Sequence, residues 1–148
     1  MQGNELDTVA IADALRPVLL RVGRELRREA RAVGVSPEQV SLLIAIKHQP
    51  GIGVRALAAC ERVSPPAMSN HVDRLERDGL VVRTPRPDDR RRVGLALTHN
   101  GQRLLRRVRS RRTAWLATRL RGLDPAELAA VEAAVEPLSR LLREEERP

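Results

Sequence analysis

Residues 64–98 have the sequence SPPAMSNHVDRLERDGLVVRTPRPDDRRRVGLALT, which contains the change of periodicity that decides the fold. Ser64 is placed as a helix N-cap, and the two prolines after it are tolerated because backbone N–H groups in a first turn lack intrahelical partners. Apolar residues then recur at helical spacing until Gly79, a typical helix end. Two β-prone runs, 80–84 and 92–97, flank a charged loop. The stretch predicts a helix followed directly by a β-hairpin.

Helical patterns lie on both sides of this stretch. Three-and-four apolar spacing, capping boxes and helix-ending glycines or prolines mark their limits. The predicted helices cover about 7–32, 36 to before Pro50, and 54–61 upstream, and about 98–121 and 124 onward downstream. The resulting order of four helices, a hairpin and two helices predicts a mainly α (α+β) protein with a winged helix-turn-helix. In that fold the second helix of the pair enters the DNA major groove and the hairpin flanks it.

Composition narrows the class of partner. The chain has 27 Lys+Arg against 19 Asp+Glu, a formal charge of +8, which suits nucleic acid or an anionic membrane surface. No apolar run of spanning length and no signal-peptide pattern occurs, so we expect a cytoplasmic protein without a membrane partner. Trp115 is the only Phe, Trp or Tyr residue, so stacking on single-stranded bases is disfavoured. Double-stranded DNA remains as the partner that fits.

The helix from Ser64 to Asp78 has one face that packs and one that can contact DNA. Met68, Val72 and Leu75 share the packing face. The amide of Asn70 can pair bidentately with an adenine edge, and the arginines can contact guanine or the backbone. The alternative is an ordinary solvated helix face. The DNA contacts predicted on this helix are Ser64, Pro66, Ser69, Asn70, Arg74 and Arg77.

The loop of the hairpin supplies the other predicted contacts. An arginine at such a tip can enter the electronegative minor groove, held by a carboxylate two residues earlier. That pairing makes Arg91 the inserted side chain and Asp89 its positioner, while a salt-bridged turn with no further role is the alternative. Arg86 and Arg90 are predicted as additional DNA contacts. For Arg90, as for Arg92, the predicted contact is with a phosphate or with solvent.

The chain resembles the MarR family of bacterial transcriptional regulators at residues 73–81, 87–91 and 95–98. These segments are similar to the family's recognition-helix end, its wing and the wing exit, and residues 89–91 match its Asp-x-Arg wing signature. Many members have arginine at the position of Asn70. The resemblance extends over essentially the whole chain. It implies an N-terminal dimerisation helix (1–35), a winged helix-turn-helix DNA-binding domain (36–98), and C-terminal linker and dimerisation helices (99–148).

The resemblance also implies a homodimer built from the first and last helices, with two recognition helices on half-sites one helical turn apart. The apolar seam of the last helix agrees with this, although packing within one chain is the alternative. The residues predicted at the interface are Leu15, Leu19, Val131, Val135, Leu138 and Leu142.

Many family members are released from DNA by a small phenolic or other anionic effector, or by cysteine oxidation. Here Cys60 is expected to be a buried small hydrophobic residue. The three histidines, His48, His71 and His99, lack metal-ligand spacing, so no metal or other cofactor is expected.

Together these features predict a sequence-specific transcriptional regulator, a repressor released by a small ligand, that binds a pseudo-palindromic operator as a homodimer. No nucleophile elbow, phosphate loop or metal cluster stands out, so an enzyme is not expected. A nonspecific architectural DNA-binding protein is the main alternative, and a protein-interaction module using the terminal helices is another.

Overall fold

A computed structural model describes residues 7–86 and 88–143. Within these residues the elements follow the order that the sequence predicts, which confirms a mainly helical fold with one two-stranded antiparallel sheet. Their bounds are α1 Thr8–Arg31, α2 Pro37–His48, α3 Val54–Cys60, α4 Pro65–Arg77, β1 Val81–Pro85, β2 Val93–Leu97, α5 His99–Leu120 and α6 Pro125–Arg143. Pro17 lies inside α1, which begins at Thr8.

Capping residues fix where the helices begin. Ser36 and Gln39 form a reciprocal capping box at α2, with each side chain bonded to the other residue's backbone N–H. Asp124 and Glu127 form the same arrangement at α6. Ser64 caps α4 by accepting from the Ala67 N–H at 3.4 Å. These side chains satisfy backbone donors that the first turn leaves free, so the helix starts agree with the sequence prediction.

The chain divides into two compact units, Met1–Arg112 and Thr113–Pro148. The first unit holds the buried core, to which α2, α3, α4, β2 and α5 contribute large side chains. Leu43, Leu57, Leu75, Leu95 and Val108, one from each of these elements, are buried almost completely. Full burial of a leucine side chain stabilises a fold by about 1.5–3 kcal/mol, so these contacts hold the helix pair α3–α4 and the sheet together.

The two strands pair antiparallel in a register that runs from Val81 opposite Leu97 to Pro85 opposite Val93. Ile52, in the turn between α2 and α3, adds a bridge to Leu95 and extends the sheet by one residue pair. Gly94 permits this contact, because a Cβ there would lie 2.5 Å from the Gly51 carbonyl oxygen. The base of the hairpin is therefore fixed to the start of the helix-turn-helix.

The second unit contains the C-terminal part of α5 and all of α6. Trp115 lies there beneath the guanidinium of Arg119, which is 3.8 Å from the centre of the indole ring. None of the helices in the part of the chain that the structure describes is long and apolar enough to cross a lipid bilayer.

Candidate nucleic-acid interface

Helix α4 has the two faces that the sequence predicts. Met68, Val72 and Leu75 are completely buried against the core, which confirms the packing face. The α3–α4 pair places this face inward through a turn in which Arg62 has a left-handed backbone with φ of 54°. The opposite face of α4 is thereby left in contact with solvent.

The predicted contact residues of α4 lie along that solvent face and around its N-terminus. Ser69 is half-buried. The other predicted contacts are exposed, namely Ser64, Pro66, Asn70, Arg74 and Arg77. The side chain of Asn70 has no hydrogen-bond partner among residues 7–86 and 88–143, and neither Arg74 nor Arg77 has an ion-pair partner there. Their polar groups are therefore available to a ligand, while their roles at DNA remain predictions.

The wing loop is closed by its own polar groups. The Arg86 guanidinium donates to the Asp88 carboxylate at 3.0 and 3.1 Å, and the Arg86 N–H donates to the Arg92 carbonyl at 2.8 Å. Desolvation raises the pKa of Asp88, but hydrogen bonding from its own backbone N–H and the charge of Arg86 outweigh it, so that the pKa lies below its ordinary value of 3.8. The carboxylate is therefore ionised throughout the neutral range. Pro87, which the sequence includes in this loop, lies outside the described residues.

Asp89 acts on the backbone of the loop tip. Its carboxylate accepts from the N–H of Arg91 at 3.0 Å, and its carbonyl accepts from the N–H of Arg92 at 2.9 Å. The side chain that approaches Asp89 is that of Arg92, with Nε 3.8 Å from the carboxylate. Asp89 thus holds the turn, and the exposed guanidiniums of Arg90 and Arg91 have no ion-pair partner in the described parts of the chain.

Arg83 is a residue that the sequence analysis missed. It lies on β1, two residues after the buried Val81, and forms ion pairs with Asp73 and Glu76 of α4, the latter at 3.4 Å. Strand alternation was the available signal, because Arg83 must share a face with Val81, and Asp73 and Glu76 are spaced to lie on one side of a helix. Asp73 of α4 is therefore paired with the wing.

A cleft of about 330 Å³ lies between the start of α2 and α4. His71 and Arg74 line it from α4, opposite Glu38 of α2. A hydrogen bond from its own backbone N–H, then one from Ser36, and the charges of Arg31 and His71 hold the pKa of Glu38 below its ordinary value. Glu38 therefore places a negative charge in the cleft that Arg74 also lines.

Both units expose apolar side chains at the predicted dimerisation positions. Leu19 in α1 and Val131, Val135 and Leu142 in α6 are exposed, Leu142 at 73% of its surface, whereas Leu15 and Leu138 are half-buried. Further exposed apolar residues accompany them on the same helices, namely Val9, Ile11, Val18 and Leu20 of α1 and Leu128 and Leu141 of α6. These surfaces are available to a partner, and the dimer itself remains a prediction.

The prediction that Cys60 is buried is wrong, since the thiol is exposed. The buried residues of α3 are Leu57 and Ala58, and Cys60, the last residue of this helix, lies about 60° from Leu57 on the side away from Ala58, at the edge of the buried face. His48 and His99 are exposed and His71 is half-buried. In the described ranges, no three or more His, Cys, Asp or Glu side chains are placed to hold a metal ion.

Known proteins share this arrangement. The family model described as "MarR family" matches residues 35–93. An uncharacterised HTH-type transcriptional regulator of Mycobacterium bovis is 32% identical over 134 residues, covering 90% of this chain and 94% of the relative. The HTH-type transcriptional repressor MdtR of Bacillus subtilis is 30% identical and covers 78% of this chain and 74% of the relative.

A solved structure agrees with these sequence relatives. The transcriptional regulator Tm0710 of Thermotoga maritima is similar with a TM-score of 0.78 and 25% identity, covering 93% of this chain and 97% of that one. The likeness therefore includes the terminal helices as well as the helix-turn-helix and the wing.

Proposed function

Since the chain belongs to the MarR family of DNA-binding transcriptional regulators, we propose that it binds a pseudo-palindromic operator as a homodimer and represses transcription until a small ligand releases it. The repressor role is supported by the name of one relative, a transcriptional repressor. Such a protein acts where the bacterial chromosome lies, so the proposal includes a cytoplasmic location.

In the proposed complex α4 lies in the major groove. Asn70 pairs with an adenine edge, Ser69 contacts a base or phosphate, and Arg74 and Arg77 contact guanine or the backbone. The α4 N-terminus, where Ser64 and Pro66 lie, approaches a phosphate, which the positive end of the helix dipole favours. The support for these roles is the exposure of this face and the absence of internal partners for Asn70 and Arg77 among the described residues.

The wing is proposed to flank the recognition helix in the minor groove. Arg91 enters the groove, Asp89 holds the turn that presents it, and Arg86, Arg90 and Arg92 stay near the backbone. The observation that carries the proposal is the backbone hydrogen bond from Arg91 to Asp89 at 3.0 Å, because it fixes the tip of the loop and leaves the Arg91 guanidinium exposed.

Dimerisation is proposed to bring two such units onto one operator. The exposed apolar side chains of α1 and α6 need a partner surface, since large exposed apolar patches are uncommon on monomeric proteins. Two recognition helices then address half-sites about 34–36 Å apart, the spacing of one helical turn of DNA. An operator with two inverted half-sites follows from the two-fold symmetry.

Selection of bound sites from random duplex DNA tests this function. We expect one inverted repeat to emerge and to bind about 1,000-fold or more tightly than scrambled duplex at 0.15 M salt. A nonspecific architectural protein, which the charge of +8 also suits, yields no repeat and binds all duplexes about equally. That second result would reject the regulator proposal in its sequence-specific form.

A further inference from the structure

A second cationic site lies in the first unit, away from α4 and the wing loop, on helix α5. Residues 99–112 contain six arginines and no acidic residue. A groove of about 410 Å³ runs along this part of the helix and is lined by Val33, Arg103, Arg106, Arg107, Ser110 and Arg111. Its volume lies within the range of small-molecule sites, about 300–1,000 Å³.

The groove has more positive charge than its surroundings neutralise. Arg111 is paired with Glu29 of α1 at 3.0 Å, and this is the only one of the four lining arginines with a carboxylate partner among residues 7–86 and 88–143. Arg103 donates to the side-chain oxygen of Asn100, a neutral group that leaves its charge uncompensated. The guanidiniums of Arg106 and Arg107 have no ion-pair or hydrogen-bond partner in those ranges.

Like charges at this spacing are unfavourable without an anion. Arg103, Arg107 and Arg111 follow one another at four-residue intervals, at which like-charged side chains on a helix repel by a few tenths of a kcal/mol per pair. Neighbouring arginines in this row are about 6 Å apart along the helix axis and lie on one face of the helix. Three uncompensated guanidiniums, those of Arg103, Arg106 and Arg107, together with the Ser110 hydroxyl, can donate to an anion that extends along this row.

We propose that this groove binds a small organic anion that carries two or more phosphate groups. Guanidinium forks match phosphate oxygens in bidentate geometry, and a diphosphate supplies about the charge that the row lacks. Val33, where α1 is followed by the turn to α2, offers an apolar wall for the organic part. The volume of the groove matches that of small-molecule sites, which favours such a ligand over a duplex backbone. The proposal does not depend on the proposed function, since the binding needs no DNA.

Calorimetric titration of the full-length protein with inorganic pyrophosphate and with adenosine diphosphate, at 0.15 M salt and without DNA, tests the site. We expect saturable binding with one anion per chain, and an affinity at least about tenfold lower in the double variant Arg106→Gln/Arg107→Gln, which removes two charge-assisted donors. The matched control Arg24→Gln/Arg109→Gln removes the same charge from exposed arginines outside the lining of the groove and should retain the affinity within about twofold. Thermal melting of both double variants checks that they are folded.

Three results would overturn the proposal. Absence of saturable binding of either probe excludes the site, and equal weakening in the two double variants shows only general attraction to a cationic protein. A third result is that the groove variant loses affinity for duplex DNA, with a shallower salt dependence, while neither probe binds. The row would then be a contact to the DNA backbone. Since the titrations contain no DNA, a failure here is separate from a failure of operator selection.

Discussion

The guanidinium of Arg83 on β1 is ion-paired with the carboxylate of Asp73 on α4, and the same side chain lies 3.4 Å from Glu76 one turn further along. One arginine therefore ties the wing to the helix proposed to lie in the major groove. Fixing the position of the wing relative to α4 before binding lowers the free-energy cost of ordering these two elements at the DNA. The pair is thus placed to preorganise the interface.

We expect Arg83→Met to lower specific operator affinity by about tenfold while changing the free energy of unfolding by less than about 1 kcal/mol, since the pair is partly exposed and such pairs contribute little to stability. Fluorescence anisotropy with a labelled operator, combined with urea unfolding, measures both. Arg83→Lys should restore part of the affinity. The control Arg16→Met removes a comparable exposed pair with Asp13 on α1 and should leave the affinity unchanged. An equal loss in both variants would contradict a preorganising role.

Arg91→Ala is expected to weaken operator binding by about tenfold or more and to leave stability unchanged, because the exposed guanidinium makes no ion pair or hydrogen bond in the described chain. Asp89→Asn tests the other half of the arrangement. The amide oxygen can still accept from the Arg91 N–H, so this variant should retain more affinity than Asp89→Ala. Titration of labelled operator at 0.15 M salt distinguishes these outcomes. Unaltered affinity of Arg91→Ala would remove Arg91 from the interface.

Asn70→Ala is expected to relax base preference at one position in each half-site, at a cost of about 1–3 kcal/mol. The reason is that a side-chain amide without an internal partner can make two hydrogen bonds to one base edge. Competition between operators substituted at each position measures the effect. A loss that is uniform over all positions would instead assign Asn70 to the phosphate backbone.

Local signals in the sequence were sufficient to predict the helices, the strands and their order. They were insufficient to predict contacts between these elements. Ser36, Ser64 and Asp124 cap helices through hydrogen bonds to residues three positions away, so spacing alone located these starts. The pair between Arg83 and Asp73 joins residues ten positions apart in different elements, and it depends on how β1 packs on α4. Cys60 was placed wrongly because residue type favours burial, whereas its actual environment depends on which side of a seven-residue helix faces the core.

Gly101→Ala is expected to destabilise the protein by about 1–3 kcal/mol or more, because a Cβ at this position would lie 2.2 Å from the backbone oxygen of Leu80 and the start of α5 would have to move. Gly23→Ala is the matched control within a helix. Its new methyl group would meet only the mobile end of Arg27 at 3.3 Å, so better helix propensity should stabilise by about 0.5–1 kcal/mol. Thermal and urea unfolding measure both. If both variants changed the free energy of unfolding in the same direction, the close approach of Gly101 to the Leu80 backbone would be contradicted.

Val135→Glu/Leu138→Glu is expected to convert a dimer into monomers, because charges placed in the apolar seam of α6 cannot be buried without a partner. Sedimentation equilibrium over a range of protein concentrations measures the state. Leu138 is half-buried, so Leu142→Glu, at a position 73% exposed, provides a second variant that cannot disturb the packing of the chain itself. The control Val82→Glu/Val93→Glu charges exposed apolar residues of the sheet and should remain dimeric. If both α6 variants stayed dimeric with native helicity, the subunits would have to associate through another surface.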